Sequence, residues 1–234
     1  MTRHLVLRNM PIWLVCCLSG TPLQSQAWRT TDMIIESGTL KGRSLKTLGK
    51  EPWLRPTSDK AREAVMDMMR PVLAGARFID VCSGTGAVGI EALSNGAAHT
   101  TFVDVDNRSV RLIVDNLRML ALQEQASVVK GDADGYVSGL QGGEFDVLFA
   151  DPPFDSGLQE GLLVTLSEHL RDAADGCIII MEHPSKRPVH ERYDGPEVDL
   201  ESYKERRYGD VSMTFFRATK HRNEASGSSH DQTE

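Results

Sequence analysis

The sequence predicts an α/β fold: a seven-stranded, mostly parallel sheet with helices on both faces and an antiparallel strand at one edge. Short apolar runs alternate with segments whose apolar residues recur every three or four positions, which is typical of strands that alternate with helices. A glycine-rich segment, 84–89, follows the first of these runs. Strands separated by helices favour parallel pairing, because each helix returns the chain to the same end of the sheet.

The elements can be assigned in chain order. The segment 107–122 shows the clearest helical period, with apolar residues at Val110, Ile113, Val114 and Leu117. Only a short loop separates the last two apolar runs, so we expect them to form an antiparallel hairpin. The predicted strands lie at 76–82, 100–105, 126–130, 145–150, 177–182, 197–203 and 211–217. The predicted helices lie at 87–95, 107–122, 135–140 and 158–170.

Composition excludes several classes of protein. The chain has 234 residues, of which 40% are hydrophobic and 25% charged, as in ordinary globular domains. It is neither collagen-like nor a disulfide scaffold, and no apolar run approaches the ~20 residues that a membrane span needs. The four cysteines form no metal-binding spacing. We therefore expect reduced thiols, no metal site and a cytoplasmic location.

The two ends of the chain differ from its middle. Residues 1–32 carry two arginines before a short apolar stretch, and three interpretations are open: a secretory signal, an organellar transit peptide, or an upstream extension outside the fold. We favour the extension. Residues 219–234 are almost devoid of apolar side chains, which predicts a disordered tail. The remaining residues divide into a basic segment, 33–70, and a main domain, 71–218.

Charge is unevenly distributed. The formal net charge is −7, yet seven basic residues face only two acidic ones between Lys41 and Arg62. An acidic body with a basic segment suggests a local contact with a polyanion. A solvated loop would produce the same charge pattern.

The glycine segment has the spacing of a nucleotide-binding loop, with Gly84, Gly86 and Gly89 after the first strand. A dinucleotide-binding fold would show the same spacing. Asp80, four residues before Gly84, is poorly suited to cradle a pyrophosphate, but it suits the cationic amino group of S-adenosylmethionine (SAM). Asp104, at the end of the second strand, could accept hydrogen bonds from ribose hydroxyls.

Two other acidic residues have competing interpretations. Asp132 follows the third strand and could either reach an adenine amino group or cap the next helix. Asp106 is the better candidate for a helix cap beside Asn107.

A second motif, Asp-Pro-Pro-Phe at 151–154, follows the fourth strand. The prolines fix φ and remove two backbone donors, so the turn presents only acceptors: the Asp151 carboxylate and backbone carbonyls. Acceptors of this kind can hold a planar amino group and direct its lone pair at the methyl group of SAM. Phe154 offers a face on which a flipped base can stack. A strand-ending turn is the plain alternative.

Together these motifs resemble the RsmD family of bacterial 16S rRNA guanine-N2 methyltransferases. The matching segments are 38–43, 55–63, 80–94, 151–154 and 208–209, within about 33–217. The resemblance implies a Rossmann-like, class I SAM-dependent methyltransferase fold. The cofactor site that it implies consists of Asp80, Ser83, Gly84, Thr85, Gly86, Asp104 and Asp132. The catalytic turn that it implies consists of Asp151, Pro152, Pro153 and Phe154. The substrate contacts that it implies are Arg55, Thr57, Arg62 and Phe154.

The resemblance therefore predicts a monomeric enzyme that methylates guanine N2 in 16S rRNA or in the assembling small ribosomal subunit. An adenine-N6 methyltransferase of DNA or RNA and a protein glutamine methyltransferase are alternatives within the enzymes. A catalytically inactive RNA-binding module is the alternative outside them, and a dehydrogenase comes after it. For Arg55 and Arg62, internal ion pairs with Asp59 and Glu63 would compete with contacts to RNA phosphates.

Overall fold

The computed structural model describes residues 33–47, 59–140, 143–154, 156–170 and 176–221. Its strands are β1 (Arg77–Val81), β2 (His99–Asp104), β3 (Ala126–Lys130), β4 (Val147–Ala150), β5 (Ile178–Pro184), β6 (Arg192–Tyr193), β7 (Val198–Tyr208) and β8 (Val211–Lys220). Its helices are α1 (Asp59–Leu73), α2 (Ala87–Ser94), α3 (Asn107–Leu120), α4 (Ala133–Val137) and α5 (Leu158–His169), with a 3₁₀ turn at Gln123–Gln125.

All eight strands form one sheet in the order β3-β2-β1-β4-β5-β8-β7-β6. The first five are parallel, and β8, β7 and β6 add on as antiparallel neighbours. The predicted α/β class, the mostly parallel sheet and the antiparallel hairpin are confirmed. The strand count was one short, because the two residues of β6 are too few to show a period-2 pattern.

Helices cover both faces of the sheet. On one face, Phe78 of β1 belongs to a core cluster with buried side chains of α1, α2 and α3. On the other, Ile79 belongs to a second cluster with side chains of α4 and α5. Successive residues of a strand point to opposite faces, so β1 contributes to both clusters. This accounts for the apolar side chains at the adjacent positions Phe78 and Ile79.

Strand order sets the position of the cleft. Strand β1 pairs with β2 on one side and with β4 on the other, so the chain leaves β1 in one direction and later returns to its opposite side. In open α/β sheets, ligands bind at this switch point, beside the carboxyl ends of the strands. The glycine segment and the Asp-Pro-Pro-Phe turn both follow strands at this edge.

Residues 33–47 are part of the same core as the sheet. Ile35 and Leu45 are fully buried in the cluster that contains Phe78, and Leu40 N–H donates to Ser94 Oγ at 2.9 Å. Helix α1 runs across the boundary predicted between residues 70 and 71 and packs in this cluster too. The structure therefore corrects the proposed division: the described residues 33–47 and 59–70 are not separate from the main domain, because their apolar side chains complete its core.

The tail also begins later than predicted. Thr219 and Lys220 belong to β8, where they pair with Asp199 and Val198, and His221 N–H donates to Glu197 O at 2.9 Å. Backbone pairing with β7 orders these residues although they lack apolar side chains. The leader at 1–32 and the remaining tail at 222–234 lie outside the described residues.

Within the part of the chain that the structure describes, none of the helices has the length and apolar character needed to cross a membrane.

Candidate active site

A cleft of about 660 Å³ opens at the carboxyl ends of the parallel strands. It brings together both motifs of the sequence analysis, although Asp80 and Asp151 are 71 positions apart along the chain. Every described residue of the predicted cofactor and catalytic sites lines it except Gly86. These lining residues are Asp80, Ser83, Gly84, Thr85, Asp104, Asp132, Asp151, Pro152, Pro153 and Phe154.

The glycine loop is a tight turn that hydrogen bonds hold together. Gly86 N–H donates to Ser83 O at 2.7 Å, and Val103 N–H donates to Ser83 Oγ at 3.0 Å. Gly86 has a φ of +75°, and a Cβ there would lie 2.9 Å from Ile113 Cγ1. Glycine is needed at this position for both reasons. Gly86 does not line the cleft itself. It forms the turn that exposes Ser83, Gly84 and Thr85 to the cleft.

Asp80 is the most buried carboxylate in the cleft, with 1% of its surface exposed. The backbone N–H of Gly89, on α2, donates to its Oδ2 at 3.0 Å. Burial raises the pKa of Asp80 well above its ordinary value; the Gly89 hydrogen bond opposes this, and Asp151 and Asp104 add to it. A cationic ligand would reverse that shift by favouring the carboxylate form.

Asp104 accepts two backbone hydrogen bonds of 2.8 Å each, from Gly84 and Asp106. Burial raises the pKa of Asp104, and these hydrogen bonds oppose the rise. They fix the carboxylate at the cleft wall while leaving lone pairs for a ligand. Asp106 instead caps α3, where its side chain accepts from Arg108 N–H at 2.7 Å, as the sequence predicted.

Asp132 caps a helix, which is one of the two roles predicted for it. It is the N-cap of α4, and its Oδ1 accepts from Gly135 N–H at 2.7 Å. It also lines the cleft. Capping uses one carboxylate oxygen and leaves the other available, so the adenine contact stays a prediction.

The Asp-Pro-Pro-Phe turn is anchored at both ends. Asp151 N–H donates to Val81 O at 3.2 Å, which ties the turn to the end of β1. Gln159, a buried residue of α5, directs its Nε2 at Pro152 O and Pro153 O, 3.4 and 3.3 Å away. Pro152 is buried, whereas Asp151 and Phe154 are half-buried in the cleft wall. The turn is thus rigid, and its acceptors lie where a ligand can reach them.

Sequence reasoning missed three residues of this region. Glu182, 5% exposed, lines the cleft from within β5, one step beyond the Ala150–Met181 pair of β4 and β5. It therefore lies across from Asp151, a position that only strand register reveals. Cys82 lines the cleft with a φ of +59°, and burial raises the pKa of its thiol to about 12. Gln159 supports the turn, and no local pattern marks it.

Arg62 is buried in an internal ion pair and is not exposed for contact with an RNA phosphate. Its side chain is 1% exposed, and its Nε donates to Glu91 Oε1 at 3.2 Å. Its NH2 group donates to Ile34 O at 3.3 Å, so it joins α1, α2 and the 33–47 segment at the wall of the cleft. The internal ion pair foreseen for Arg62 therefore exists, but with Glu91 rather than Asp59 or Glu63. Arg55 and Thr57 lie outside the described residues.

The charge of the cleft is strongly acidic. Among the described residues that line it, six are carboxylates and only Arg62 is a cation. Such a wall repels the pyrophosphate of a dinucleotide and attracts a cationic ligand, which disfavours the dehydrogenase alternative. The six carboxylates are Asp80, Asp104, Asp106, Asp132, Asp151 and Glu182. No group of them, or of any other described residues, has the arrangement of a metal site.

An eight-stranded sheet of this order, with a glycine-loop cleft beside an Asp-Pro-Pro-Phe turn, defines a class I methyltransferase. Comparison with known proteins identifies the family. A family model described as "Conserved hypothetical protein 95" matches residues 33–217. The chain belongs to this family, the RsmD family.

Individual relatives agree with this assignment. The protein YlbH of Bacillus subtilis (strain 168) is 37% identical over 153 residues, which cover 64% of this chain and 82% of that protein. "Ribosomal RNA small subunit methyltransferase D" of Escherichia coli (strain K12) is 34% identical over 148 residues, or 63% of this chain and 73% of that protein. The solved structure of the Escherichia coli protein yhhF has a TM-score of 0.67 and 28% identity, over 81% of this chain and 99% of that one.

Proposed function

We propose that the protein transfers a methyl group from SAM to the exocyclic N2 amine of a guanine in small-subunit rRNA. The observation that carries this proposal is that the glycine loop and the Asp-Pro-Pro-Phe turn line the same cleft. Asp80 and Asp104 belong to the part of the lining around the glycine loop, and Asp151 and Phe154 belong to the part formed by the Asp-Pro-Pro-Phe turn. We call these the cofactor end and the substrate end.

The residues at the cofactor end fit SAM. Asp80 provides a buried negative charge for the ammonium group, and Asp104 provides acceptors for the ribose hydroxyls. Asp132 lies within the same wall and could accept from the adenine amino group. When bound, SAM supplies an electrophilic methyl group on a sulfonium. The acidic lining favours that cation over neutral or anionic nucleotides.

At the substrate end, the proposal is that Asp151 and the Pro152 carbonyl accept the two hydrogens of an aromatic amine. These hydrogen bonds hold the nitrogen and direct its lone pair toward the cofactor end. The nitrogen forms a bond to the methyl carbon as the carbon–sulfur bond breaks, and S-adenosylhomocysteine leaves. The extra proton then passes from nitrogen to Asp151 or to water. Phe154 offers the base a stacking surface.

The choice of rRNA as substrate rests on family membership. The Escherichia coli relative is named a ribosomal RNA small subunit methyltransferase, and guanine N2 is the position that the RsmD resemblance implies. Asp151 and the two prolines that follow it stand in the matching motif. We expect the reaction to take place in the cytoplasm, where small subunits assemble.

A labelling experiment tests the proposal. The full chain is incubated with methyl-labelled SAM and small ribosomal subunits that lack their native methylation, and the RNA is digested to nucleosides. We expect labelled N2-methylguanosine, with the Asp151→Ala variant as the background control. Labelled N6-methyladenosine, or label in protein alone, would replace the guanine assignment. SAM binding without transfer to any acceptor would favour the inactive module.

A further inference from the structure

The antiparallel edge of the sheet carries a basic surface that the sequence analysis did not single out. In an antiparallel pair, residues directly opposite each other place their side chains on the same face. Lys204 of β7 pairs with Phe215 of β8, and Arg206 pairs with Met213. Phe215 and Met213 belong to the core cluster on the face of α1 and α2. Lys204 and Arg206 therefore lie at the margin of that face.

An aromatic residue lies among these cations. Tyr203 is 46% exposed, and the guanidinium carbon of Arg217 lies 5.1 Å from the centre of its ring. A register shift between Ser202 and Lys204 marks a bulge beside Tyr203, and bulges turn side chains in a new direction. We call Tyr203, Lys204, Arg206 and Arg217 the hairpin surface.

Strand pairing places the hairpin surface near Glu182, a residue that lines the cleft. Met213 pairs with Arg206 on one side and with Glu182 on the other. Arg206 is thus two strands from Glu182, about 10 Å at the usual strand spacing. The exposed Lys186 lies in the loop after β5. Ser185 ties that loop to the β7–β8 turn: its N–H donates to Asp210 O at 2.9 Å, and its Oγ donates to Gly209 O at 3.2 Å.

We propose that the hairpin surface, together with Lys186, binds the phosphate backbone of the RNA that flanks the target base. This proposal rests on the proposed function and adds to it the place where the RNA docks. Arg206, Arg217 and Lys186 are exposed, and Lys204 is half-buried. Surface cations with an interleaved aromatic ring are the usual composition of a nucleic-acid surface. The acidic cleft repels a phosphate backbone, so binding has to come from basic groups outside it.

The contacts within the hairpin surface leave its cations able to bind. Arg206 donates only to the Glu205 carbonyl through NH1, at 3.2 Å, among the contacts that the structure gives for it. Arg207 donates through Nε to Gly209 O at 3.0 Å and so belongs to the turn itself. For this reason Lys204, Arg206 and Lys186 are the informative positions. Glu201, which pairs with Arg217, and Glu205 are also exposed on β7, so two carboxylates oppose the four cations Lys186, Lys204, Arg206 and Arg217.

The test compares Lys204→Gln/Arg206→Gln and Lys186→Gln with the full wild-type chain. Binding to unmethylated small-subunit rRNA and methyl transfer to it are measured between 50 and 200 mM salt. Arg111→Gln is the control, since it removes one exposed positive charge from α3, away from the β7–β8 hairpin. Affinity for S-adenosylhomocysteine reports whether each variant retains the fold and the cofactor end.

We expect the double variant to raise KM for RNA about tenfold or more, with kcat and S-adenosylhomocysteine affinity nearly unchanged. The slope of log affinity against log salt should become shallower by about 0.7–0.9 for each phosphate that the variant no longer neutralises. Arg111→Gln should leave that slope as it is in the wild type.

Three results would overturn the proposal. In the first, the wild type methylates the RNA, but the double variant keeps its affinity and salt slope; the proposed function then stands and only the docking surface is wrong. In the second, the variants lose binding to assembled subunits but not to naked rRNA, which assigns the surface to a ribosomal protein. In the third, the wild type neither binds nor methylates the RNA, and the proposed function fails as well.

Discussion

The two ends of the cleft are built in different ways. At the cofactor end, backbone amides of the chain itself hold the carboxylates: Gly89 donates to Asp80, and Gly84 to Asp104. At the substrate end, the prolines of the Asp-Pro-Pro-Phe turn have no such amides to donate, and Gln159 supports the turn from α5. Backbone amides therefore fix the carboxylates of the first end, whereas a side-chain amide fixes the turn of the second. Variants at the two ends should therefore change different measurable quantities.

The largest effect should come from Asp151→Ala. Loss of the acceptor that orients the amine should lower kcat on the order of 10³-fold, as for other groups that act mainly in the transition state. Affinity for S-adenosylhomocysteine should stay within about threefold, because binding at the cofactor end needs no contact with Asp151 in this proposal. Single-turnover transfer and calorimetry measure the two quantities. Asp151→Asn, which keeps one acceptor oxygen, should be intermediate. A large loss of cofactor affinity in Asp151→Ala would show that the ends are not separate.

The second effect concerns Asp80→Asn, which keeps an oxygen for the Gly89 hydrogen bond but removes the charge. Hydrogen bonds to charged groups contribute about 1.5–3 kcal/mol, so cofactor affinity should fall about 10–100-fold. Wild-type affinity should weaken as the pH falls through the raised pKa of Asp80, since only the carboxylate attracts an ammonium group. The variant should lack that pH dependence. Calorimetric titration with S-adenosylhomocysteine from pH 5 to 9 tests both statements.

Asp80→Asn should weaken cofactor binding but increase the stability of the ligand-free protein. Because the folded pKa of Asp80 is raised, its contribution to the free energy of unfolding is present below the unfolded pKa and is lost as the pH rises through the folded pKa. Asp80→Asn should therefore raise the Tm of the ligand-free protein at neutral pH, by about 2–4 °C for each kcal/mol regained. Asp67→Asn, at an exposed ion pair with Arg70, is the control. An unchanged Tm would contradict the inference that burial of the Asp80 carboxylate destabilises the ligand-free protein.

A smaller effect should come from Glu182→Gln. Glu182 faces Asp151 across β4 and β5, so the loss of its charge should lower kcat/KM about tenfold, or about 1.4 kcal/mol. Affinity for S-adenosylhomocysteine should change little. Asp194→Asn removes one charge from an exposed side chain far from the cleft and should change neither quantity. A loss of cofactor affinity in Glu182→Gln would instead assign Glu182 to the cofactor end.

The smallest effect should separate the two roles of Asp132. Asp132→Ala should lower the free energy of unfolding by about 1 kcal/mol through loss of the cap on α4. Asp132→Ser retains a capping oxygen and should restore most of that stability. If the serine variant still binds S-adenosylhomocysteine several-fold more weakly than the wild type, Asp132 contacts the ligand. Equal affinity in wild type and serine variant would falsify the adenine contact and leave capping as its only role.

Most of the parallel half could be predicted, because its evidence is local. A buried strand, a helical period and a glycine turn each show within about ten residues, and so does the Asp-Pro-Pro-Phe motif. The N-cap role of Asp106 was predicted on the same ground and is confirmed. The ends of the fold were predicted less well. Thr219 and Lys220 are ordered by pairing with β7, which composition does not reveal.

The features of the site also fall into two groups: those that a short segment of sequence reveals, and those that depend on contacts between distant segments. By itself, the sequence determined the α/β class and the residues of both motifs, since each depends on neighbours in the chain. Only the tertiary structure decided that Arg62 pairs with Glu91, that Glu182 lies opposite Asp151, and that Arg206 lies two strands from Glu182. Such contacts depend on the register of strands far apart in sequence. That register is set by how the whole core packs, and no short segment encodes it.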